Sequence, residues 1–383
     1  MKIKSNLKIK KSDFEYIFLT FYFAISPISK LLEKLWIPRP VTYMVMLSAL
    51  AIYIINRFRF LKRKPDVLVA LLILLPITLF GVLFHHSDFN SSSEMYAMII
   101  IFFPAYFIVR AADVDKLIRA LHTSAYIGIA IYLPNAFLVE NIRSQYMTYG
   151  YDLLFPLSII LYYATTEKRW YDISISIVGT IMLAVFGSRG ASIALVLFYL
   201  YVIFSRNDKH KVRNLVLVLL SLCAVLFANA HLSEIILWLA RHGVSSYSLT
   251  RYANGQAFTS YARDGLYEYI LTELLPNNYF GHGPLGNRAL MPVVLNHDIR
   301  YPHQLFFELL IDYGLILGSV FSFIIIYVTS YMLIKSKDKY RHLTSLFCVV
   351  SFFPLMISGT LYSTGTIPYI FAIYMKYRYE KES

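Results

Sequence analysis

Apolar segments of membrane-spanning length recur along the whole chain, and they constrain its fold more than any other feature. Each is about 15 to 25 residues long, enough for a helix to cross a hydrocarbon layer of roughly 30 Å. The sequence predicts spans at residues 14–31, 41–56, 66–84, 95–109, 117–139, 151–166, 172–187, 191–205, 214–231, 305–334, 342–360 and 366–378. Hydrophobic residues make up 57% of the chain and charged residues 15%, which excludes an ordinary soluble domain. The expected fold class is an all-α polytopic membrane protein with about twelve transmembrane helices.

The positive charge of the chain is distributed as an orientation signal. With the N-terminus placed inside, 26 of the 36 lysines and arginines fall in inner connections and 10 in outer ones. This positive-inside pattern predicts a multi-pass protein of the cytoplasmic (inner) membrane with both termini in the cytoplasm. The net charge of +13 therefore indicates the lipid bilayer as a partner and does not indicate nucleic acid.

One long connection, between the ninth and tenth spans, divides the chain into three parts. These are an N-terminal transmembrane bundle over residues 1–231, a large extracytoplasmic loop over 232–304, and C-terminal transmembrane helices over 305–383. The loop contains five arginines and no lysine. A guanidinium offers a planar fork that binds phosphate or carboxylate through two bonds, so we expect an anionic ligand outside the membrane. Pairing with the acidic residues of the loop is the alternative.

Two consecutive segments of this loop have distinct local signals. The stretch YARDGLYEYILTELLP (261–276) predicts an amphipathic helix along the membrane surface. The stretch NNYFGHGPLGN (277–287) predicts a tight glycine- and proline-rich turn. Arg263 would lie in the first turn of the helix, where the dipole disfavours a cation unless an anion compensates it. That anion is either a bound ligand or the neighbouring Asp264.

Arg189 is a second cation in an unusual position. In VFGSRGAS it lies at the expected outer end of the seventh span or the start of the eighth, between two glycines. An arginine near the bilayer core costs roughly 2.5–3.5 kcal/mol, so its side chain is expected to face a cavity or a partner. The alternative is an interfacial side chain that extends to the headgroups.

The tenth span begins with polar groups, in YPHQLFFELLIDYG (301–314). Pro302 suits the first helical position, which would place His303 in the first turn. There the helix dipole favours a neutral ring that can accept a proton, and a histidine bonded to a backbone carbonyl is the alternative. Glu308 and Asp312 are four residues apart and share a face. We expect them to face the bundle interior, paired with arginine or protonated, and to support the site.

Two other polar stretches are better explained as helix caps than as metal sites. The residues DVD (113–115) immediately precede a span, where aspartate is a favoured N-cap. In HHSDFNSSSE (85–94), Ser91 and Glu94 have the spacing of a capping box. We therefore predict no metal site, and because the sequence contains no phosphate-binding Walker loop or dinucleotide fingerprint, we predict no cofactor.

Three motifs in this order resemble the bacterial O-antigen polymerase and O-antigen ligase family. They are GSRGAS, the arginine-rich loop with RDGLYEYI and PNNYFGHGPLGN, and PHQLFFELLIDYGLILG. Motif-level similarity covers about residues 187–318, and Gln304 stands where an asparagine often follows the histidine. The resemblance implies a multi-helical glycosyltransferase of the lipid-donor (GT-C-like) type that acts outside the cytoplasmic membrane without metal or nucleotide.

The resemblance also implies a substrate and roles for four residues. The donor would be an oligosaccharide on undecaprenyl diphosphate, with Arg189, Arg251 and Arg263 on the diphosphate and His303 on the acceptor hydroxyl. The leading expectation is an inverting polymerase that joins such repeat units into O-antigen, capsule or exopolysaccharide, with a chain-length regulator and a flippase as further partners. The alternatives are a ligase that transfers the glycan to lipid A core or another surface acceptor, and a transporter of the lipid-linked oligosaccharide.

Overall fold

The computed structural model shows a helical protein. It describes residues 11–38, 41–42, 44–45, 48, 53, 104–138, 142–167, 169–205, 234, 237–238, 241–242, 261–295, 302–357, 359–361 and 367–382. This part of the chain is 87% helix and contains no strand, which confirms the all-helical part of the predicted fold class. The spans expected at 66–84 and 214–231 lie outside the described residues.

The described helices follow in chain order, with long stretches of sequence between α1 and α2 and between α5 and α6. They are α1 (Lys11–Lys34), α2 (Val114–Leu138), α3 (Ile142–Thr166), α4 (Trp170–Phe186), α5 (Arg189–Ser205), α6 (Tyr261–Tyr269), α7 (Gly286–Leu295), α8 (Leu305–Lys335), α9 (Asp338–Phe347), α10 (Phe353–Ile357) and α11 (Ile367–Glu382). The π-helical turn Ile270–Leu274 extends α6, and the π-helical turn Cys348–Phe352 joins α9 to α10. Residues 104–111 are also helical.

Within the described residues, α8 is the one helix that is both long and apolar enough to cross a membrane. The helix α4 and residues Gly190–Phe204 of α5 are apolar but shorter. These features are compatible with a helical membrane protein, and the number of spans stays a prediction from the sequence.

Contacts between side chains fix the directions of the helices. Tyr16 and Thr123 hydroxyls lie 2.7 Å apart near the starts of α1 and α2, and Ser26 and Tyr132 hydroxyls lie 3.0 Å apart nearer their ends. The two helices are therefore parallel. The Tyr163 hydroxyl donates to the Ile118 carbonyl oxygen at 3.4 Å, so α3 runs antiparallel to α2. Contacts of Gly179 with Leu157 and of Gly187 with Gly150 make α4 antiparallel to α3, and α5 begins where α4 ends.

One end of the bundle, called here the Glu15 end, is held by buried charges. Lys116 Nζ donates to Glu15 Oε2 at 2.7 Å, and the Glu15 side chain is almost fully buried. Lys376 Nζ donates to the carbonyl oxygens of Arg110 (3.3 Å) and Ala112. A cation in this position satisfies carbonyls at the end of the helical residues 104–111.

Asp113 begins α2 at this end, as the DVD stretch predicted. Its Oδ1 accepts hydrogen bonds from the backbone N–H groups of Asp115 (3.1 Å) and Lys116 (3.0 Å). Partial desolvation acts to raise the pKa of Asp113, but these bonds to the carboxylate outweigh it and the pKa is lowered. The helix-cap interpretation of this motif is confirmed.

The opposite end, called here the Gly150 end, depends on a close approach of two backbones. A Cβ atom on Gly150 would lie closer than 3.0 Å to the backbone nitrogen of Ser188. Ser188 in turn caps α5, because its Oγ accepts a hydrogen bond from Ala191 N at 3.3 Å. Small residues at such a crossing let helices pack backbone to backbone. The Ser-Arg-Gly turn is therefore held firmly against α3.

We predict that Asp113→Ala lowers the free energy of unfolding by about 1 kcal/mol, because the first turn of α2 loses its side-chain acceptor. Asp115→Ala removes the same charge from an exposed neighbour and is the matched control. Since the pKa of Asp113 is lowered in the folded state, its stabilisation is present at neutral pH and is lost as the pH falls through that lowered pKa. Unfolding of the detergent-purified protein, followed at pH 7 and at acid pH, measures both effects; equal stability of the two variants would contradict the cap.

Candidate functional site

The helix α8 is broken near its start. Gly314 has φ 76° and ψ 172°, which is not helical, and it separates residues 305–313 from residues 315–335. The span expected over 305–334 corresponds to α8, and the break within it was not predicted from the sequence. At about 1.5 Å per residue, the second part alone is still long enough to cross a bilayer.

The glycine- and proline-rich turn of the loop fills this break. Leu315 N donates to the carbonyl oxygen of Asn278 at 2.8 Å, and Gly283 N donates to that of Asp312 at 2.8 Å. The Asn278 side chain adds a bond from its Nδ2 to the carbonyl oxygen of Ile311 at 2.9 Å. Backbone groups released by the break thus find partners in the turn, as buried polar groups must.

Two glycines make this contact possible. Gly281 and Gly314 both have left-handed backbones, with φ of 80° and 76°. A Cβ atom on Gly314 would lie closer than 3.0 Å to the carbonyl oxygen of Tyr279, and one on Gly281 would lie equally close to that of Asp312. Only glycine adopts a left-handed backbone and allows another backbone to approach its Cα this closely at low energetic cost.

The Asp312 carboxylate holds the start of α7. Its Oδ2 accepts from Leu285 N at 3.2 Å, and its Oδ1 accepts from Asn287 N at 2.9 Å. Asn287 Nδ2 also donates to both carboxylate oxygens at 2.9 Å. An anion is favoured at a helix N-terminus, so this carboxylate occupies the position that a phosphate could otherwise take.

Glu308 lies one turn earlier and binds a second group of partners. Its Oε1 lies 3.7 Å from Arg288 Nη2 and accepts a hydrogen bond from the Thr360 hydroxyl, and its Oε2 accepts from Leu361 N at 2.7 Å. Arg288 also donates to Thr360 Oγ1 (2.8 Å) and to Asn287 Oδ1 (2.7 Å). The prediction that Glu308 faces the interior beside an arginine is met by Arg288. The hydrogen bonds of Asp312 described above come from amide groups.

These residues form one buried group, which we call the carboxylate cluster. Its members join the loop, the first part of α8 and the segment after α10. Glu308 and Asp312 are each 1% exposed and Arg288 is 9% exposed. The members are Asn287, Arg288, Glu308, Asp312 and Thr360. Charges buried this deeply are tolerated only with partners of this kind.

The helix α6 is attached to the same region by apolar contacts. The helical prediction for this segment is confirmed, and its buried face packs on α7 and on the first part of α8. The buried residues of this contact are Leu266, Ile270, Leu275, Met291 and Ile311. Glu273, in the π-helical turn that extends α6, is exposed. The described loop segment 261–295 is therefore packed against the helix that follows His303.

His303 lies outside the helix that it was expected to begin. The helix α8 starts at Leu305, and Gln304 is its N-cap, with Oε1 accepting from Phe307 N at 2.6 Å. The prediction of Pro302 as first helical residue and His303 in the first turn is wrong, because the extended backbone of Gln304 delays the start. His303 is half-buried and has φ 56°. A left-handed conformation outside glycine costs on the order of 1–3 kcal/mol and is concentrated at functional sites.

The described residues include two of the three arginines of the predicted site. Arg189 is the first residue of α5, and Arg263 lies in the first turn of α6. Arg251 lies outside the described residues. The helix α10 packs against both α5 and α8. The Tyr377 hydroxyl donates to the Lys335 carbonyl oxygen at 3.0 Å, beside Lys376, so the end of α8 lies at the Glu15 end of the bundle. The start of α8 and the packed loop segment therefore lie towards the Gly150 end, where α5 also begins.

Arg288, Asn287 and Thr360 were not singled out from the sequence. Arg288 was one of five arginines in the loop, and no local pattern separated it from the others. Its partner Thr360 is 72 residues away along the chain, so spacing could not connect them. The glycine-rich stretch GHGPLG before Asn287 predicted a turn, and it was the local pattern closest to these three residues.

Nothing in the described part of the chain suggests a bound metal. No group of three or more histidine, cysteine, aspartate or glutamate side chains converges there. The stretch 85–94 lies outside the described residues.

Comparison of the chain with protein-family models, curated proteins and solved structures finds no match. The resemblance to O-antigen polymerases and ligases stays a prediction from the motifs.

We predict that Gly314→Ala releases the loop segment from α8, because the new methyl group meets the backbone of the turn and the φ of 76° is unfavourable for alanine. Gly265→Ala is the control, since no atom lies within 4 Å of its Cβ position. Limited proteolysis of the purified protein measures the change as faster cleavage within residues 261–295. Unchanged protection in Gly314→Ala would contradict the role given to the break.

Removing one charge from the carboxylate cluster is expected to destabilise it strongly. Glu308→Gln leaves the Arg288 charge without its carboxylate, and breaking a buried pair in this way costs about 3–5 kcal/mol. Glu268→Gln, on an exposed residue of α6, serves as control. The double variant Arg288→Met with Glu308→Gln should lose less than the two single losses combined. Additive losses in chemical unfolding would show that the two side chains are not coupled.

Proposed function

We propose that the protein is a membrane glycosyltransferase that polymerises undecaprenyl-diphosphate-linked oligosaccharide repeat units into a surface polysaccharide. The proposal takes its substrate from the motif resemblance. The structural observation that supports it best is the left-handed backbone of His303 at the start of a helix whose first part is fixed by the carboxylate cluster. A costly conformation at such a firmly held position is typical of a residue that works on a ligand.

His303 has the chemistry of a general base for an acceptor hydroxyl. In the proposed reaction the acceptor oxygen attacks the anomeric carbon of the donor sugar and gives its proton to the imidazole. The bond between that carbon and the diphosphate oxygen breaks, and undecaprenyl diphosphate leaves with the electron pair. A single displacement without an enzymic nucleophile inverts the anomeric carbon.

Arginines suit the other half of this reaction, where negative charge grows on the departing diphosphate. Arg189 is the first residue of α5, and Arg263 lies in the first turn of α6. Arg251 is retained in the proposal on the motif resemblance alone. The fixed charge of a guanidinium lets it bind the diphosphate at any working pH.

Glu308 and Asp312 are given a supporting role. Both carboxylates already accept several hydrogen bonds inside the carboxylate cluster. A carboxylate held in this way positions its neighbours and is poorly suited to exchange protons with a substrate. They would orient the loop segment and the start of α8 relative to the ligand.

The membrane setting belongs to the same proposal. About twelve spans of a lipid-donor (GT-C-like) glycosyltransferase would place the Glu15 end in the cytoplasm and the Gly150 end outside it. The lipid-linked substrate would enter from the outer leaflet, after a flippase has carried it across. A chain-length regulator would act on the growing polymer at that face.

We predict that His303→Ala abolishes chain elongation without lowering the amount of folded protein. The purified protein is incubated with the lipid-linked repeat unit, and the products are resolved as a glycan ladder. His242→Ala is the matched control, since this exposed loop histidine contacts the carbonyl of Trp238 and is expected to leave the ladder intact.

Three outcomes would count against the proposal. A ladder retained in His303→Ala would remove this residue from the mechanism. Transfer of a whole glycan to lipid A core, without a ladder, would support a ligase. Movement of unchanged lipid-linked oligosaccharide across a vesicle membrane would support a transporter.

A further inference from the structure

An ion pair at the Gly150 end takes no part in the steps described above. Lys30 Nζ, near the end of α1, pairs with Asp152 Oδ2, near the start of α3. The two side chains are 26% and 23% exposed. A polar ligand that reaches this end of the bundle therefore has access to both charged groups.

The pair lies at the same end of α3 as the turn that carries Arg189. Asp152 follows Gly150 by two residues, and Gly150 packs against the backbone of Ser188. A rise of about 1.5 Å per residue keeps Asp152 within one helical turn of that contact. Residues two apart in a helix point in different directions, so the pair and the start of α5 lie at the same end of the bundle but on different sides of α3.

Stability alone explains this ion pair poorly. Partly exposed pairs contribute about 0–1 kcal/mol, and withdrawing two charges from water offsets much of their attraction. Even so, the ammonium is held in place: Lys30 Nζ lies 5.5 Å from the centre of the Tyr132 ring, and the Tyr132 hydroxyl lies 3.0 Å from Ser26 Oγ. Such an arrangement keeps a donor in one position for a ligand.

A third polar group shares the face of Asp152. Tyr149 is three residues earlier in α3, a spacing that places two side chains on one side of a helix. Its hydroxyl is buried and has no hydrogen-bond partner among the described residues. A buried hydroxyl normally has a partner, so this one still has a donor and an acceptor to offer on the face of Asp152.

The charge of the group selects the class of ligand. Lys30 and Asp152 neutralise each other, so the pair attracts an anion weakly, and the carboxylate would repel a phosphate. A carboxylate accepts hydrogen bonds, an ammonium donates them, and a phenol does both. A neutral ligand rich in hydroxyl groups matches this set, and a tyrosine ring suits contact with a sugar.

We propose that Lys30, Asp152 and Tyr149 form a binding subsite for sugar hydroxyls of the lipid-linked repeat unit. The inference rests on the proposed function and refines it, because it separates recognition of the neutral glycan from recognition of the diphosphate by arginines. The three residues bind and position the substrate and do not exchange protons with it.

Two lipids test this division in the full-length protein in nanodiscs. One is undecaprenyl diphosphate without sugar, and the other is the same lipid carrying the repeat unit, extracted from the producing cell. Lys30→Met and Asp152→Asn should each weaken binding of the glycan-bearing lipid roughly tenfold, the effect of losing a hydrogen bond to a charged group. Binding of the bare lipid should not change, and Lys34→Met, on an exposed lysine of the last turn of α1, should bind both lipids normally.

An exchange of the two residues separates binding from structure. Lys30→Asp combined with Asp152→Lys restores an ion pair but swaps the donor and the acceptor, so we expect the glycan-bearing lipid to remain weakly bound. Recovery of binding in this variant, or equal loss of both lipids in the single variants, would overturn the subsite and leave the proposed function standing. A wild-type protein that binds neither lipid would overturn the proposed function itself.

Discussion

The break in α8 exists only because another segment supplies the missing hydrogen bonds. A helix interrupted at Gly314 exposes carbonyl and N–H groups that would be costly to leave unpaired away from water. The loop residues Asn278 and Gly283 bond to these groups, and Asp312 beside the break caps the next helix of the loop. Loop and helix therefore depend on each other, and neither conformation is reasonable alone.

This dependence explains why two carboxylates stand in the first part of an apolar helix. A leucine at either position would enter a bilayer more easily, but it could not hold the loop. Asp312 binds backbone and side-chain amides, while Glu308 reaches Arg288 and the segment at Thr360. Three parts of the chain are thereby fixed around one buried group. The result is a firm support for whatever lies at the start of α8.

In the proposed function, the carboxylate cluster holds the reactive residues in position, and the reaction itself takes place beside the cluster. His303 lies just before the fixed helix, and Arg189 begins a helix held against α3 through Ser188 and Gly150. Reactive groups placed next to rigid elements keep their geometry when substrate binds, which lowers the cost of reaching the transition state. The buried cluster would set distances, and the groups at its edge would act on the substrate.

Composition and patterning determined much of this protein without a structure. Apolar segments predicted helices that overlap α1 to α5, α8 and α11, although α3 begins nine residues before the predicted span. Local signals predicted the cap at Asp113 and the turn around Gly281. Each of these depends on residues within a few positions of one another. Local propensity and burial are sufficient to decide them.

The tertiary structure decided what local signals could not reach. The helix α8 begins after His303, because Gln304 is its N-cap. The break at Gly314 is stable because the loop packs there and bonds to the backbone groups beside it. The pairing of Arg288 with Thr360 joins residues far apart in the chain. Sequence alone determined which segments are helical and apolar, since those properties are local. Which buried charge meets which partner depends on how helices cross, and only the folded chain fixes that.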